Sequence, residues 1–251
     1  MSQYYTARRT RNLFEPGSTV SFRISRTKLD LFLTCPRCFY LDRRLGVSQP
    51  PGYPMTLNSA VDKLLKAEFD IHRANGSPHP FMTTYGIDAV PLAHEKMNMW
   101  RDALGGGIQY IHPPTNFLIT GGVDDVWVNP KGEFIVVDYK TTAKNGEVSI
   151  DAEWQKGYKR QIEIYQWLFR KNGFTVSPVG YFVYCNGNTD KKAFDGKLEF
   201  DVTIIPYQGD DSWVEGAIMG AYNCLMGDVI PPAGADCDYC AYREAAGEVE
   251  K

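Results

Sequence analysis

The sequence has no long hydrophobic run and no excess of positive charge. It contains no stretch of about eighteen apolar residues, and residues 1–12 hold three arginines without an apolar core, so we expect neither a membrane span nor a signal peptide. The net charge of -3 excludes a uniformly basic nucleic-acid coat. Internal repeats and low-complexity segments are also absent. We therefore expect a cytoplasmic protein, in which cysteines stay reduced and favour metal ligation over disulfides.

The length of 251 residues and the hydrophobic content of 43% are sufficient for one substantial core. Nothing in the composition divides the chain, so we predict a single domain over residues 1–251. We assign residues 20–110 to an N-terminal helical part and 111–210 to a catalytic core. Residues 211–251 then form a C-terminal helix and a cysteine-bearing tail.

Hydrophobic periodicity and turn residues predict the order of the elements. Helices are expected at 28–41, 57–74, 91–104, 151–170 and 211–226, and strands at 115–128, 133–140, 176–185 and 198–205. This order of helices, hairpin, helix, strands and helix predicts a mixed α/β fold.

Two apolar runs flank the turn residues 129–132 and predict a β-hairpin that carries charged residues at one end. Asp124 closes the first run, and Asp138 and Lys140 end the second. Residues two apart on a strand share a face, so Asp138 and Lys140 are expected side by side with Asp124 brought across to them. Paired carboxylates supply the hard oxygen ligands of Mg²⁺ or Mn²⁺, and an adjacent lysine can orient water or neutralise a phosphate. This pattern suggests phosphodiester hydrolysis; the alternative is a solvated surface ion pair.

The helix after the hairpin places two polar side chains on one face. Gln161 and Tyr165 are four residues apart, one turn along the helix. Both are therefore candidates to point at the acidic hairpin.

Five motifs in order resemble those of one nuclease family. Gly122-x-Asp124, Asp138-x-Lys140 and Gln161-x-x-x-Tyr165 are similar to three motifs of the RecB-like branch of the PD-(D/E)XK nucleases. That branch contains the AddB nuclease domain and the CRISPR-associated RecB-like exonucleases. The Cys-Pro-x-x-Phe segment at 35–39 and the segment 236–243 also match, so the resemblance runs from about Phe22 to Arg243.

The resemblance implies a restriction-endonuclease-like core, a mixed sheet flanked by helices, with an N-terminal helical addition and a cysteine-clamped C-terminus. It implies a Mg²⁺- or Mn²⁺-dependent DNA exonuclease acting on single-stranded ends. Asp124, Asp138 and the Tyr139 carbonyl would hold the metal, and Lys140 would position the attacking water. Gln161 and Tyr165 would orient Lys140 or the scissile phosphate.

One motif departs from the family pattern. Asp62 stands at the helical position where the family usually has His or Glu, and a carboxylate there remains suited to Mg²⁺. We therefore count Asp62 as a further candidate ligand.

The cysteines form two Cys-x-x-Cys pairs, Cys35 with Cys38 and Cys237 with Cys240. Iron–sulfur members of the branch carry one cysteine near the N-terminus and three near the C-terminus, so this two-plus-two arrangement is a second departure. Four thiolates suit either a [4Fe-4S] cluster, which the resemblance favours, or a tetrahedral Zn²⁺, which the spacing favours. The alternative is four buried free cysteines.

Basic residues are candidates for a local path for DNA to the metal site: Arg26, Arg37, Lys159 and Arg160. For any one of them a solvated surface position is the alternative. Two other functions remain open from the sequence. One is a non-cleaving subunit that binds DNA or a partner through a nuclease fold; the other is a prespacer-processing factor that works with protein partners in CRISPR adaptation.

Overall fold

The computed structural model describes residues 8–52 and 55–251; residues 1–7, most of the segment tested for a signal peptide, lie outside it. The helices and strands, numbered in chain order, are β1 (Phe22–Ser25), α1 (Arg26–Thr34), α2 (Pro36–Arg43), α3 (Thr56–Asn75), α4 (Pro80–Thr84), β2 (Val90–Pro91), α5 (Met97–Arg101), β3 (Ile108–His112), β4 (Phe117–Gly121), β5 (Asp125–Val128), β6 (Phe134–Thr142), a 3₁₀ helix (Glu153–Gln155), α6 (Lys156–Lys171), β7 (Val179–Gly187), β8 (Phe200–Gln208), α7 (Val214–Met226) and α8 (Asp238–Val249).

The chain forms two compact units. The first comprises Met1–Tyr53, Tyr110–Thr120 and Ser212–Lys251, and the second comprises Pro54–Gln109 and Gly121–Asp211. The assignment of the whole chain to one nuclease domain stays a prediction.

The second unit is built on a five-stranded mixed sheet in the order β2-β5-β6-β7-β8. Only the β6–β7 pair is parallel, and the other pairs are antiparallel. Val137 and Tyr139 of β6 join a buried apolar cluster with Phe69 of α3. Because side chains alternate along a strand, Asp138 and Lys140 face the opposite side of the sheet, where α6 lies. The alternation on β6 thus separates the core residues from the charged pair.

The β5–β6 hairpin is confirmed, and its turn explains why it forms. The Asn129 side-chain oxygen accepts hydrogen bonds from the backbone N–H groups of Lys131 and Glu133, both at 3.0 Å. Gly132 takes a φ of 76°, a conformation that glycine adopts at no steric cost. Asn at the start and Gly near the end are therefore both needed for this turn.

The first unit carries the three-stranded sheet β1-β4-β3, in which β1 and β4 run parallel. Phe14, Phe117 and Tyr222 pack edge to face and form its aromatic core. Helices α1 and α2 both contact α7. Cys35 has extended backbone between α1 and α2, and Pro36 opens α2 at a position where its missing N–H costs nothing.

Several predicted elements differ from the structure. The strand predicted at 115–128 is two strands, β4 and β5, because the chain breaks at 122–124. The helix predicted at 28–41 is likewise two helices. The helix predicted at 91–104 was largely wrong: only Met97–Arg101 is helical, and Val90–Pro91 pairs at the sheet edge. Helix α8 and strands β1 and β3 were not predicted.

The predicted fold class is confirmed: two sheets flanked by helices, in the restriction-endonuclease-like arrangement, with four cysteines gathered in one cluster. Across the described residues, every helix is too short or too polar to cross a membrane.

Candidate active site and cysteine metal centre

Asp138 and Lys140 form an ion pair on the face of β6 that looks toward α6. Asp138 is fully buried, and Lys140 is largely buried beside it. The Lys140 ammonium also lies 4.5 Å from the centre of the Tyr158 ring, a cation–π contact. The pKa of Tyr158 is raised by burial and by the nearby Asp138 carboxylate. The ammonium is therefore held by a carboxylate on one side and an aromatic ring on the other.

Asp124 lies in the short loop between β4 and β5, and three contacts fix it. Its Oδ2 accepts a hydrogen bond from the Tyr139 backbone N–H at 2.9 Å, which ties it to the residue next to Asp138. Its carbonyl accepts from Arg101 Nε at 3.0 Å. Its Oδ1 lies 3.2 Å from Lys66 Nζ. The predicted closeness of the Asp124 loop to the Asp138 strand is thus present.

Lys66 connects Asp124 to Asp62, and the sequence analysis missed it. Lys66 follows Asp62 by one turn of α3, and its ammonium lies 2.9 Å from Asp62 Oδ2. Burial alone would lower the pKa of Lys66, but the carboxylates of Asp124 and Asp62 outweigh it and raise that pKa. The spacing of four residues between opposite charges was the available signal. The spacing could not predict the contact of Lys66 with Asp124, because Asp124 lies on another element and approaches Lys66 only in the folded chain.

These carboxylates fit a hard divalent cation. The Lys66 ammonium stands where two candidate ligands, Asp62 and Asp124, converge on one positive charge. Carboxylate oxygens are the ligands that Mg²⁺ and Mn²⁺ prefer. Within residues 8–52 and 55–251, however, the carboxylates do not form a group of three with all oxygens within 4.8 Å. Binding of one divalent cation by Asp62, Asp124 and Asp138 together therefore requires their carboxylates to come closer to one another.

Gln161 and Tyr165 contact each other and the loop that carries Asp124. The Gln161 amide lies 3.4 Å from the Tyr165 hydroxyl, which donates a 2.7 Å hydrogen bond to the Gly122 carbonyl. A Cβ on Gly121 would collide with the Tyr165 ring, so glycine is required for this approach. The pair thus holds the backbone two residues before Asp124. Its predicted role toward Lys140 or a phosphate stays a prediction.

A buried ion network next to the site was also missed. Asp125 is fully buried and accepts from Arg73 at 2.5 Å, from Arg101 at 3.1 Å and from the Tyr139 hydroxyl at 2.8 Å. Asp70 pairs with both arginines at 2.9 Å. These contacts join α3, α5, β5 and β6. The hydrogen bond from Tyr139 to Asp125 therefore joins β6, which carries Asp138, to β5, which begins directly after Asp124.

The four predicted cysteines come together in the first unit. Cys35 precedes α2 and Cys38 lies within it, while Cys237 precedes α8 and Cys240 lies within that helix. Three Sγ–Sγ distances are 3.6 to 3.7 Å, and all four sulfurs lie within 4.8 Å of one another. All four residues are buried. Four sulfurs at such separations fit the ligand set of a metal ion or an iron–sulfur cluster.

Backbone N–H groups lower the pKa of one thiol in this cluster, which favours binding of a cation. Burial alone would raise the pKa of Cys35, but N–H groups of Gly234 and Cys38 donate to its sulfur and lower the pKa to about 7. The pKa values of Cys38 and Cys240 are raised, chiefly by burial. Ionising several adjacent buried thiols is unfavourable because the thiolates repel one another, and a bound cation offsets that repulsion.

The two cysteines outside the cluster and the four basic residues predicted to bind DNA have other surroundings. Cys185 is buried in the core of the second unit, and the Cys224 thiol contacts the Pro36 carbonyl. Arg37 donates to the Pro231 carbonyl at 3.2 Å, and Lys159 pairs with Asp151 at 3.0 Å. Arg26 begins α1 and Arg160 lies in the first turns of α6. Their role toward DNA stays a prediction.

Comparison with protein families matches residues 57–245, most of the chain, to a model described as the PD-(D/E)XK nuclease superfamily. No curated protein matches the chain. One solved structure, described as "Crystal structure of SSO0001", is 18% identical, covers 88% of this chain and 84% of that chain, and has a TM-score of 0.41. At that level the likeness carries no further argument.

Proposed function

Because this chain belongs to the PD-(D/E)XK nuclease superfamily, we propose that it is a Mg²⁺- or Mn²⁺-dependent deoxyribonuclease, an exonuclease on single-stranded DNA ends in DNA repair or processing. The family match supports nuclease chemistry on nucleic acid. The five motifs that resemble the RecB-like branch support the choice of exonuclease and of DNA.

One observation carries the proposal: Asp138 and Lys140 meet on β6 while the adjacent Tyr139 N–H holds Asp124. Asp124, Asp138 and Asp62 would bind the divalent cation, with the Tyr139 carbonyl as a further oxygen. The cation, when bound, lowers the pKa of water and neutralises charge on the phosphate. Lys140, oriented by Asp138 and the Tyr158 ring, positions the attacking water. Gln161 and Tyr165 keep the Asp124 loop in register.

The test is cleavage of labelled single-stranded and duplex DNA with Mg²⁺ and with Mn²⁺. We expect Asp138→Asn and Lys140→Met to lower turnover by at least about a hundredfold, because the first removes a proposed metal ligand and the second removes the ammonium that would position the attacking water. Each variant keeps the shape of the buried side chain, and its folding is checked by a cooperative thermal transition.

The matched control is Lys191→Met, which removes a lysine from the exposed ion pair with Glu199 on the same unit. It should cleave at the wild-type rate. Full activity of both site variants would refute the proposal. Absence of cleavage by the wild-type protein, with DNA binding retained, would support the non-cleaving subunit instead.

For the cysteine centre we propose a single tetrahedral Zn²⁺ in place of a [4Fe-4S] cluster. Zn–S bonds of about 2.3 Å place tetrahedral ligand sulfurs about 3.8 Å apart, close to the separations of 3.6 to 3.7 Å here. The thiolates of a [4Fe-4S] cube each bind a different iron and stand farther apart. The ion would join the start of α2 to the start of α8.

Elemental analysis of anaerobically purified protein tests the metal. We expect about one zinc per chain in a colourless protein. A brown protein with about four irons per chain and absorbance near roughly 400 nm would establish the cluster instead.

A further inference from the structure

An exposed tryptophan lies at the end of a row of side chains that begins at Asp138. Trp154 belongs to the 3₁₀ helix before α6, and its side chain is 69% exposed. Its ring packs edge to face on Tyr158, with centroids 5.6 Å apart. The Tyr158 ring in turn carries Lys140, which pairs with Asp138. The row thus runs from solvent to the buried carboxylate of the site.

Trp154 lies in a turn whose position is fixed by the hydrogen bonds of the next residue. Gln155, the next residue, is buried and accepts a 3.0 Å hydrogen bond from the Ala152 N–H. It also donates to the Ser149 carbonyl at 2.7 Å and lies 3.4 Å from the Tyr184 hydroxyl. Since these bonds hold Gln155 inward, the neighbouring indole is presented outward from a fixed backbone.

We infer that Trp154 is a stacking site for an unpaired nucleobase next to the phosphate that Lys140 faces. An indole face in water gains free energy when a flat, apolar ring covers it, and a nucleobase offers such a face. Bases inside a duplex are already stacked on both sides, so only an unpaired base is available. The inference rests on the proposed nuclease function and adds Trp154 as the residue that would bind an unpaired base of its single-stranded substrate.

The experiment measures binding without cleavage. Fluorescein-labelled single-stranded DNA of about twelve nucleotides, and the matching duplex, are titrated in EDTA and followed by anisotropy. We expect Trp154→Ala to weaken single-strand binding by about fivefold or more and duplex binding by less than about twofold. Trp154→Phe, which keeps an aromatic face, should retain most of the affinity.

A strand with abasic sites separates stacking from charge. We expect wild-type protein to bind it as weakly as Trp154→Ala binds the normal strand, because the phosphates are the same and the bases are missing. Phe194→Ala, which removes another strongly exposed ring of the same unit, is the control and should bind as the wild type does.

Equal affinity of wild type and Trp154→Ala for the normal strand, or equal losses on strand and duplex, would overturn the inference. These outcomes are distinct from failure of the proposed function. If the wild type cleaves DNA but Trp154→Ala binds normally, the proposed nuclease function is supported and the stacking site is refuted. If the wild type does not cleave, the binding assay still decides the stacking site.

A second inference rests on the outer face of α3. Leu57, Leu64 and Ile71 are 56%, 69% and 62% exposed and are seven residues apart. Two exposed alanines between them and a third after Ile71 complete an alternating spacing of three and four: Ala60, Ala67 and Ala74. We call these six residues the α3 seam. This spacing is that of the a and d positions along which two helices pack.

We infer that the α3 seam binds the α3 seam of a second copy of this chain. One flank of the seam carries Lys63 and the other carries Glu68, both exposed, so the face is complementary in charge to a copy of itself. The alanines allow close approach of the two helices. Asp62 and Lys66 lie off the seam, so the contact leaves the candidate active site free.

Sedimentation velocity over about 1 to 100 µM protein tests this contact. We expect a concentration-dependent dimer that Leu64→Glu shifts to monomer, while Val229→Glu, which alters an exposed valine of the first unit, leaves it unchanged. Both variants should keep the wild-type melting temperature at low concentration. A wild type that stays monomeric at about 100 µM, or a Leu64→Glu variant that dimerises normally, would refute the inference.

Discussion

At the scale of single residues, Lys66 sets the charge of the proposed Mg²⁺ site. Its ammonium pairs with Asp62 and Asp124, two of the carboxylates that we propose as ligands of the divalent cation. Replacing it in Lys66→Met removes the competing charge, so we expect Mn²⁺ to bind about threefold to tenfold more tightly, a difference of about 1 kcal/mol. Electron paramagnetic resonance of Mn²⁺ measures this without turnover. Lys131→Met, an exposed lysine in the β5–β6 turn, should bind Mn²⁺ as the wild type does, and weaker binding by Lys66→Met would contradict the competition.

Gly121 is the residue whose size decides whether Tyr165 can reach Gly122. In Gly121→Ala the added methyl group would collide with the Tyr165 ring, so we expect the free energy of unfolding to fall by about 1–3 kcal/mol. Gly216→Ala is the contrasting control, because its methyl group would enter open space on helix α7 and should stabilise the protein by about 0.5–1 kcal/mol. Urea unfolding compares the two. A stabilised Gly121→Ala variant would show that the contact with Tyr165 is not tight.

At the scale of elements, Asp125 holds α3, α5 and strands β5 and β6 together. Asp125→Asn removes from the largely buried Arg73 and Arg101 one of the two carboxylates that they share, the other being Asp70, and breaking a buried pair costs about 3–5 kcal/mol. Asp151→Asn breaks only the exposed pair with Lys159 and should cost less than about 1 kcal/mol. Thermal unfolding distinguishes the two. A loss of similar size in both variants would mean that the Asp125 network adds no particular stability.

The elements that the sequence predicted are those whose signals are local. Alternation along β6 and the Asn129 turn were sufficient for the hairpin, and with them for the placement of Asp138 beside Lys140. The break at 122–124 was not predicted, although Gly122 and Asp124 interrupt the apolar pattern at that point. Pro91 was assigned to a helix, yet it lies in an edge strand, where its missing N–H is tolerated.

The site residues that the sequence missed are those whose partners come from other elements. In the sequence, Lys66 is typical of a charged residue on a helix surface. Its contact with Asp124 forms only when the loop between β4 and β5 lies against α3. Asp125 follows Asp124 directly, and only the positions of Arg73 and Arg101 show that it is buried. The four cysteines were predicted as a set from their spacing. The sulfur–sulfur distances that favour one ion over a cluster exist only in three dimensions.

At the scale of the whole molecule, ion-paired aspartates make stability depend on pH. Burial alone would raise the pKa values of Asp42 and Asp70, but Lys28 for the first and Arg73 with Arg101 for the second lower them below the ordinary 3.8. Groups with a lowered pKa in the folded state stabilise it fully above about pH 4 and lose that contribution as the pH falls through the folded value. We expect the free energy of unfolding, measured in urea, to fall below about pH 4. Asp70→Asn should reduce this dependence; an unchanged slope would exclude Asp70 as a source.

The two compact units should respond separately to loss of the proposed cysteine-bound Zn²⁺. All four thiolates belong to the first unit, whereas the proposed Mg²⁺ ligands belong to the second. Because metal binding supplies folding free energy to the elements that it joins, a chelator or Cys240→Ser should speed amide exchange in α2 and α8 by about tenfold or more. Exchange in β6 and β7 should stay unchanged, and added Zn²⁺ should restore protection to the chelated protein. Hydrogen-exchange mass spectrometry reads both units in one experiment. Equal loss of protection in β6 would mean that the ion stabilises the entire chain, since no ligand lies in that unit to carry a local effect.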